Sequence, residues 1–248
     1  MSKSSDISVA FEDLLGIKFH DPDLLTQALT HRSFVNEYEG EGDVRDNERL
    51  EFLGDAVLDL IVADMLYRKF PQVDEGELTQ LRAALVKTES LAHLGASCRI
   101  GDFLRIGYGE ELSGGRERLT ILCRAFEAVI GAIYLDQGME AVVDFVVPPL
   151  LELLDHIIAN SLHIDARSEL QERIQARFNI TPDYHVTGAE GPEHAKEFRV
   201  EVAIGEALIG SGIGGSKRAA AQEAARAALK QLEADGLPES ILFPDERS

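Results

Sequence analysis

The sequence predicts a multidomain α and α+β chain: an all-helical domain over residues 11–160, then a small α-β-β-β-α unit over 166–234. Three observations carry this. Before residue 165 the apolar residues recur at helical spacing and no alternating pattern appears. Beyond it, Phe198, Val200, Val202 and Ile204 alternate, the period-2 mark of a half-buried strand. Charge divides at the same place: residues 1–165 carry net −16 and residues 166–229 net −1, in a chain of net −20. A length of 248 residues suits one large or two ordinary domains, and 45% hydrophobic content supports a real core.

The elements follow in order. Residues 1–10 are polar and read as a flexible N-terminus. Helical spacing begins at Phe11. Asp21 and Pro22 form a helix start, the aspartate as cap and the proline in the first turn. Residues 38–46 read as an acidic, glycine-bearing loop. A long helix then spans about Asn47 to Lys69 and ends before Phe70-Pro71, because proline cannot continue the hydrogen-bond ladder. Asp74-Glu-Gly-Glu77 starts another helix, followed by one over 88–98. Residues 101–115 read as glycine-spaced loop. Leu119–Leu135 reads as a buried helix closed by Gly138, with two further helices over 139–147 and 148–161. Residues 161–165 are the linker. Helix 167–177 opens the second domain; strands follow around Tyr184–Val186, Glu197–Ile204 and Glu206–Gly210, then an alanine-rich helix over 216–234. Residues 235–248 read as a loose tail.

Composition excludes some classes. No apolar run approaches the roughly 18 to 20 residues of a membrane span. No apolar signal segment follows the polar N-terminus, so secretion is not expected. Two cysteines, Cys98 and Cys123, without metal-ligand spacing suit a reducing cytoplasm. Net charge of −20 alone argues against nucleic-acid binding, so a polyanion site is sought in the near-neutral segment 166–229.

The chemistry centres on Asn47-Glu-Arg-Leu-Glu-Phe-Leu-Gly-Asp-Ala-Val-Leu58. Glu48, Glu51 and Asp55 fall at i, i+3 and i+7 and share one helical face. Leu50, Leu53, Val57 and Leu58 fall on other faces and hold the helix in a core. Spacing alone leaves two readings, a solvated acidic face or a cation between the acids. In the second domain, Gly210-Ser-Gly-Ile-Gly-Gly215 fits a dinucleotide fingerprint, yet no further parallel strand or acidic ribose ligand follows. No nucleotide cofactor is expected. The glycines and the basic helix start Ser216-Lys-Arg218 instead suit an anion.

Two resemblances organise these signals. Leu170-Gln-Glu-Arg-Ile-Gln175, Pro182-Asp-Tyr184, Gly191-Pro-Glu-His194, Phe198-x-Val200 and Gly212-x-Gly-Gly-Ser-Lys-Arg218 with Ala221-Gln222 resemble a double-stranded RNA-binding domain over almost all of 166–231. Such domains touch two successive minor grooves and the phosphates between them. The resemblance implies that Gln171, Glu172 and Gln175 read one groove and Pro192 and His194 the next, with Ser216, Lys217 and Arg218 at the phosphates. The Asn47–Leu58 stretch, with Leu29-Thr-His-Arg-Ser-Phe34, Asp74-Glu-Gly76 and Phe126-Glu-Ala-Val-Ile-Gly-Ala-Ile-Tyr-Leu-Asp136, resembles bacterial ribonuclease III.

That resemblance implies a homodimeric endonuclease. It cuts both strands of duplex RNA by magnesium-dependent hydrolysis, with Mn²⁺ as an alternative ion. It leaves 5′-phosphate and 3′-hydroxyl ends and processes rRNA and other precursors. Carried over, Glu51, Asp55 and Glu127 are the metal ligands, Asp55 and Glu127 the catalytic acids, and Glu48 and Glu75 supporting acids. One position departs from the pattern: Arg124 stands where the family usually has an aspartate. Residues 124 and 127 share a helical face. Because Mg²⁺ keeps several waters, one fewer carboxylate need not abolish binding. The expectation is retained cleavage; the alternative is a duplex-RNA-binding regulator that cuts weakly or not at all.

Overall fold

The computed structural model describes residues 3–40, 42, 44–159, 165–192, 196–205 and 207–235. It forms two compact units, Met1–His163 and Ile164–Ser248. The first contains α1 (Lys3–Leu15), α2 (Pro22–Ala28), α3 (Arg32–Glu37), α4 (Glu48–Lys69), α5 (Glu75–Val86), α6 (Thr88–Ser97), α7 (Ile100–Phe103), α8 (Tyr108–Leu112), one 3-10 turn (Gly115–Glu117) and α9 (Leu119–Ala159). Among the described residues the sole β pairing in this unit is one bridge between Thr30 and Arg105. The predicted helix starts hold: the Asp21 carboxylate accepts from Asp23 N at 3.0 Å ahead of Pro22, and Asp74 accepts from Glu77 N at 2.9 Å.

Three boundaries in the first unit differ from the reading of the sequence. Helix α1 begins at Lys3, ahead of Phe11, and no glycine or proline occurs before Gly16 to stop it. The loop expected over 101–115 contains α7 and α8. Two helices expected after Gly138 are one, running through Pro148 and Pro149. An interior proline costs about 3 kcal/mol of helix stability. Here Val142, Val146, Leu150, Leu154 and Ile157, at spacings of four and three, bury one face along the whole run and offset that cost. The helix does break at Gly138, whose φ of 83° suits glycine.

The core of the first unit forms where α4 crosses α9. Both helices bring glycine to the crossing. A Cβ on Gly54 would overlap the Glu127 carbonyl oxygen, and one on Gly131 would overlap that of Leu50. Backbone therefore rests on backbone, and side chains flanking the crossing are brought together from two helices. Leu50, Val57, Leu58, Ile61 and Val62 of α4 pack there with Ala125, Phe126, Val129, Ile130 and Ile133 of α9.

The second unit is α10 (Ala166–Phe178), β1 (Asp183–Glu190), β2 (Glu197–Ile204), β3 (Ala207–Gly214) and α11 (Lys217–Asp235). Its strands form an antiparallel sheet in the order β1-β2-β3. The glycine run changes meaning here. β3 extends to Gly214, so Gly210, Gly212 and Gly214 lie within the strand, opposite Val202, Val200 and Phe198 of β2. Cross-strand partners share a sheet face. Val200 and Val202 are buried, and a Cβ on any of the three glycines would strike α11 backbone. The glycines, with buried Ala220, Ala224 and Ala228, let α11 lie directly on β3. Close helix–sheet packing, not an anion cradle, accounts for them.

Candidate active site

The crossing at Gly54 positions the acids. Glu51 and Asp55 project from α4, one residue or a few from the contact, and Arg124 and Glu127 face them from α9. Together with Glu48, Phe52, Thr88, Thr120 and Cys123 they line a cleft of about 530 Å³. Four of the five acids singled out in the sequence meet there. The fifth, Glu75, stands in the first turn of α5, accepts the Thr79 hydroxyl at 3.1 Å, and is not among the cleft-lining residues. Glu48 pairs with Arg32 of α3 at 3.1 Å, an exposed bridge worth little stability.

Glu127 is the buried member, with 8% of its surface exposed. Its one described side-chain partner is the Cys123 thiol, which donates to Oε1 at 3.6 Å. Burial, and then the nearby Asp55 charge, push the Glu127 carboxyl up to about 7. Burial also raises Glu51 and Asp55; for Glu51 the Arg124 guanidinium opposes the rise. Burial and Glu127 push the Cys123 thiol up to about 12, so it stays protonated and unreactive at neutral pH. Arg124 Nε lies 3.4 Å from Glu51 Oε1.

These values make a stability prediction. A carboxyl raised in the folded state favours folding while protonated, and that contribution is lost as pH rises from about 4.5 through about 7. For Glu127 the full loss is on the order of 3 kcal/mol. Metal-free protein should therefore lose more melting temperature between pH 5 and pH 8 than Glu127→Gln does, by roughly 5–10 °C in thermal unfolding with EDTA.

The donor set suits a hard divalent cation, because carboxylate oxygens dominate the cleft and, among the described residues, the nearly buried Glu127 forms no salt bridge. Among the described residues no three His, Cys, Asp or Glu side chains are already gathered closely enough to hold an ion. Glu51, Asp55 and Glu127 fit the role by chemistry, with Arg124 occupying one flank of Glu51.

Sequence reasoning passed over three residues here. Thr120 and Cys123 were recoverable, since 120, 123/124 and 127 share one face of α9. Asn47 was read only as the start of the signature helix. It is 4% exposed, its side-chain amide donates to Ala28 O at 3.1 Å and its N–H to Thr30 O at 2.9 Å. It thus fastens the start of α4 to α2, a long-range contact that no local pattern shows.

In the second unit Gln171, Glu172, Gln175, Pro192, Ser216, Lys217 and Arg218 are all exposed. Gln175 also braces the end of α10, donating to Asn179 Oδ1 at 2.9 Å, and Ser216 Oγ caps α11 by accepting from Ala219 N at 3.1 Å. His194 lies outside the described residues. The Gln222 amide donates to Asp165 Oδ1 at 2.6 Å, joining α11 to the start of α10.

One chain thus carries a helical unit with an acid-lined cleft and an α-β-β-β-α module, the two-domain layout expected of a nuclease that works on duplex RNA. Comparison with known proteins agrees in both halves. The ribonuclease-III-like family model matches residues 21–154, and the double-stranded RNA binding motif matches residues 166–232. Ribonuclease 3 of Roseiflexus sp. (strain RS-1) is 48% identical, covering 88% of this chain and 93% of its own. Ribonuclease 3 of Desulforamulus reducens is 46% identical, covering 95% and 96%. A crystal structure of the nuclease domain of ribonuclease III from Campylobacter jejuni superposes with a TM-score of 0.52 at 44% identity, covering 57% of this chain and 92% of that one. Another structure of that domain is described for flexibility in a region involved in dimer formation. The chain belongs to the ribonuclease III family: it is an endoribonuclease with a double-stranded RNA-binding domain.

Proposed function

We propose that this enzyme hydrolyses phosphodiester bonds on both strands of duplex RNA with Mg²⁺, releasing 5′-phosphate and 3′-hydroxyl ends, in the processing of rRNA and other precursors in the cytoplasm. Mn²⁺ is the alternative ion. The observation that carries the reading is the meeting of Glu51, Asp55 and Glu127 from two helices in one cleft. Their oxygens hold the metal; a bound divalent cation supplies an activated water and charge stabilisation for an in-line displacement. Asp55 and Glu127 are the catalytic acids. Glu127, buried beside Asp55, is the group that most needs a cation. Glu48 supports substrate placement from the cleft rim, and Glu75 does so from outside it.

The outer face of α4 supports homodimerisation. Phe52, Ala56, Leu60, Ala63 and Tyr67 recur at helical spacing along its outer face, with Phe52 80% and Tyr67 74% exposed. Beside them a groove of about 660 Å³ is lined by Leu60, Ile61, Met65, Met139, Val143, Val147 and Leu151, together with the charged Asp64, Arg68 and Lys69. Apolar surface of this extent marks an interface. A second copy places its cleft against the opposite RNA strand. Among the described residues no helix is long and apolar enough to cross a membrane.

The RNA-binding domain supplies most of the affinity, which offsets the acidity of the nuclease domain. Gln171, Glu172 and Gln175 take one minor groove, Pro192 and His194 the next, and Ser216, Lys217 and Arg218 the phosphates. Deleting residues 166–248 should weaken binding of a labelled RNA duplex at least tenfold at moderate salt and leave measurable cleavage at low salt. Unchanged binding refutes this division of labour. Single-stranded RNA and DNA duplexes of the same sequence should compete poorly with the intact enzyme.

Arg124 favours a second reading, a duplex-RNA binder that cuts poorly, since its guanidinium pairs with one expected metal ligand. Among the described residues neither Asp55 nor Glu127 forms a salt bridge, and cleavage is the better supported function. A gel shift without fragments, with cutting restored by Arg124→Asp, is the signature of the binder.

A further inference from the structure

Between Ile121 and Ile133, α9 is buried at every residue but one, Arg124. The opening coincides with the cleft, where, among the described residues, Arg124 is the only lining cation beside Glu48, Glu51, Asp55 and Glu127. Its side chain is more than half exposed, whereas that of Glu51 is mostly covered, and a single contact of 3.4 Å joins them. The guanidinium brings a positive charge into an otherwise acidic cleft. Glu51 is therefore never offered to a second cation without competition.

We propose that Arg124 is a tethered counter-ion that competes with the divalent metal for Glu51, so that a residue which is not a ligand sets the metal affinity of this enzyme. The inference rests on the metal-nuclease reading and extends it. In the metal-free site the guanidinium neutralises one of the clustered acids and lessens their mutual repulsion. When the cation takes Glu51, the pair separates and two positive groups share the cleft. Both changes oppose metal binding. Because the pair is single-contact and partly in water, it is weak, and the competition is modest and reversible: roughly 3–10-fold in metal affinity. Arg124 acts through Glu51 and is a positioning residue.

The test is calorimetric titration of Mg²⁺ into the full-length, RNA-free protein at pH 8, with melting temperatures measured in EDTA and in saturating Mg²⁺. Arg124→Gln removes the charge and keeps a long polar side chain; Arg124→Lys keeps the charge. Arg124→Gln should bind Mg²⁺ roughly 3–10-fold more tightly than the wild type, and Arg124→Lys should stay within about twofold of it. In EDTA the glutamine variant should melt below the wild type, and Mg²⁺ should raise its melting temperature by a larger increment. Affinity of Arg124→Gln no higher than wild type overturns the proposal, as does equal tightening in Arg124→Lys. If the wild type cuts duplex RNA in Mg²⁺ and Arg124→Gln shows unchanged affinity, the inference alone fails. If no variant binds Mg²⁺ and none cuts, the metal-nuclease reading fails with it.

Discussion

Glu127→Gln is expected to slow duplex cleavage on the order of 10²–10³-fold while leaving duplex binding within about threefold of wild type. The substitution keeps shape and removes one carboxylate oxygen from the centre of the acid cluster. Metal stabilisation of a reacting phosphate is worth several kcal/mol, and each 1.4 kcal/mol or so is tenfold in rate. Binding persists because the residues assigned to the RNA grooves belong to the other structural unit. Misfolding does not explain such a loss: Glu127 is a buried acid held up to about 7, so its amide counterpart should be at least as stable at pH 8. Single-turnover cleavage, gel shift and thermal unfolding on one preparation separate these effects. Cleavage within tenfold of wild type removes Glu127 from the catalytic group.

Gly54→Ala is expected to have the largest effect on stability. Overpacking a core costs typically 1–3 kcal/mol, because side chains yield. At this crossing the obstruction is the main chain of α9, at the Glu127 carbonyl and the Gly131 N–H. Neither moves without separating the two central helices. A loss beyond 3 kcal/mol, seen as a fall of about 10 °C in the melting of the nuclease domain, is the expected result. Metal binding should weaken with it, since the same crossing brings Glu51 and Asp55 towards Glu127. Gly76→Ala makes a useful control: the nearest atom to a Cβ there is a carboxylate oxygen of Asp74 at 3.3 Å.

Much of this was legible in the sequence, for identifiable reasons. Helix α4 and its acidic face depend on a 3.6-residue period, and β2 on a period of two; both are local properties. Four of the acids line one cleft because they lie on the two helices whose apolar faces form the core. What stayed hidden depends on partners far along the chain. Asn47 looks like no more than the start of a helix until its contacts with Ala28 and Thr30 are seen. Gly210, Gly212 and Gly214 look suited to cradle an anion until α11 is laid against them. Pro148 looks like a helix start because its cost is local and the burial that offsets it is not. Glu75 shares the chemistry of the other acids, but α5 holds it away from the cleft.

Arg124 shows the converse. Its identity is plain in the sequence, yet its consequence depends on which acid it reaches. The structure settles that it pairs with Glu51, rather than with the more buried Glu127.

The most direct measurement is incubation of the purified full-length chain with end-labelled duplex RNA, in Mg²⁺ and in EDTA, with the ends of any fragments characterised. The account predicts discrete fragments in Mg²⁺ with 5′-phosphate and 3′-hydroxyl ends, and intact, protein-bound duplex in EDTA. Bound duplex without fragments in Mg²⁺, or fragments that form equally in EDTA, would contradict it.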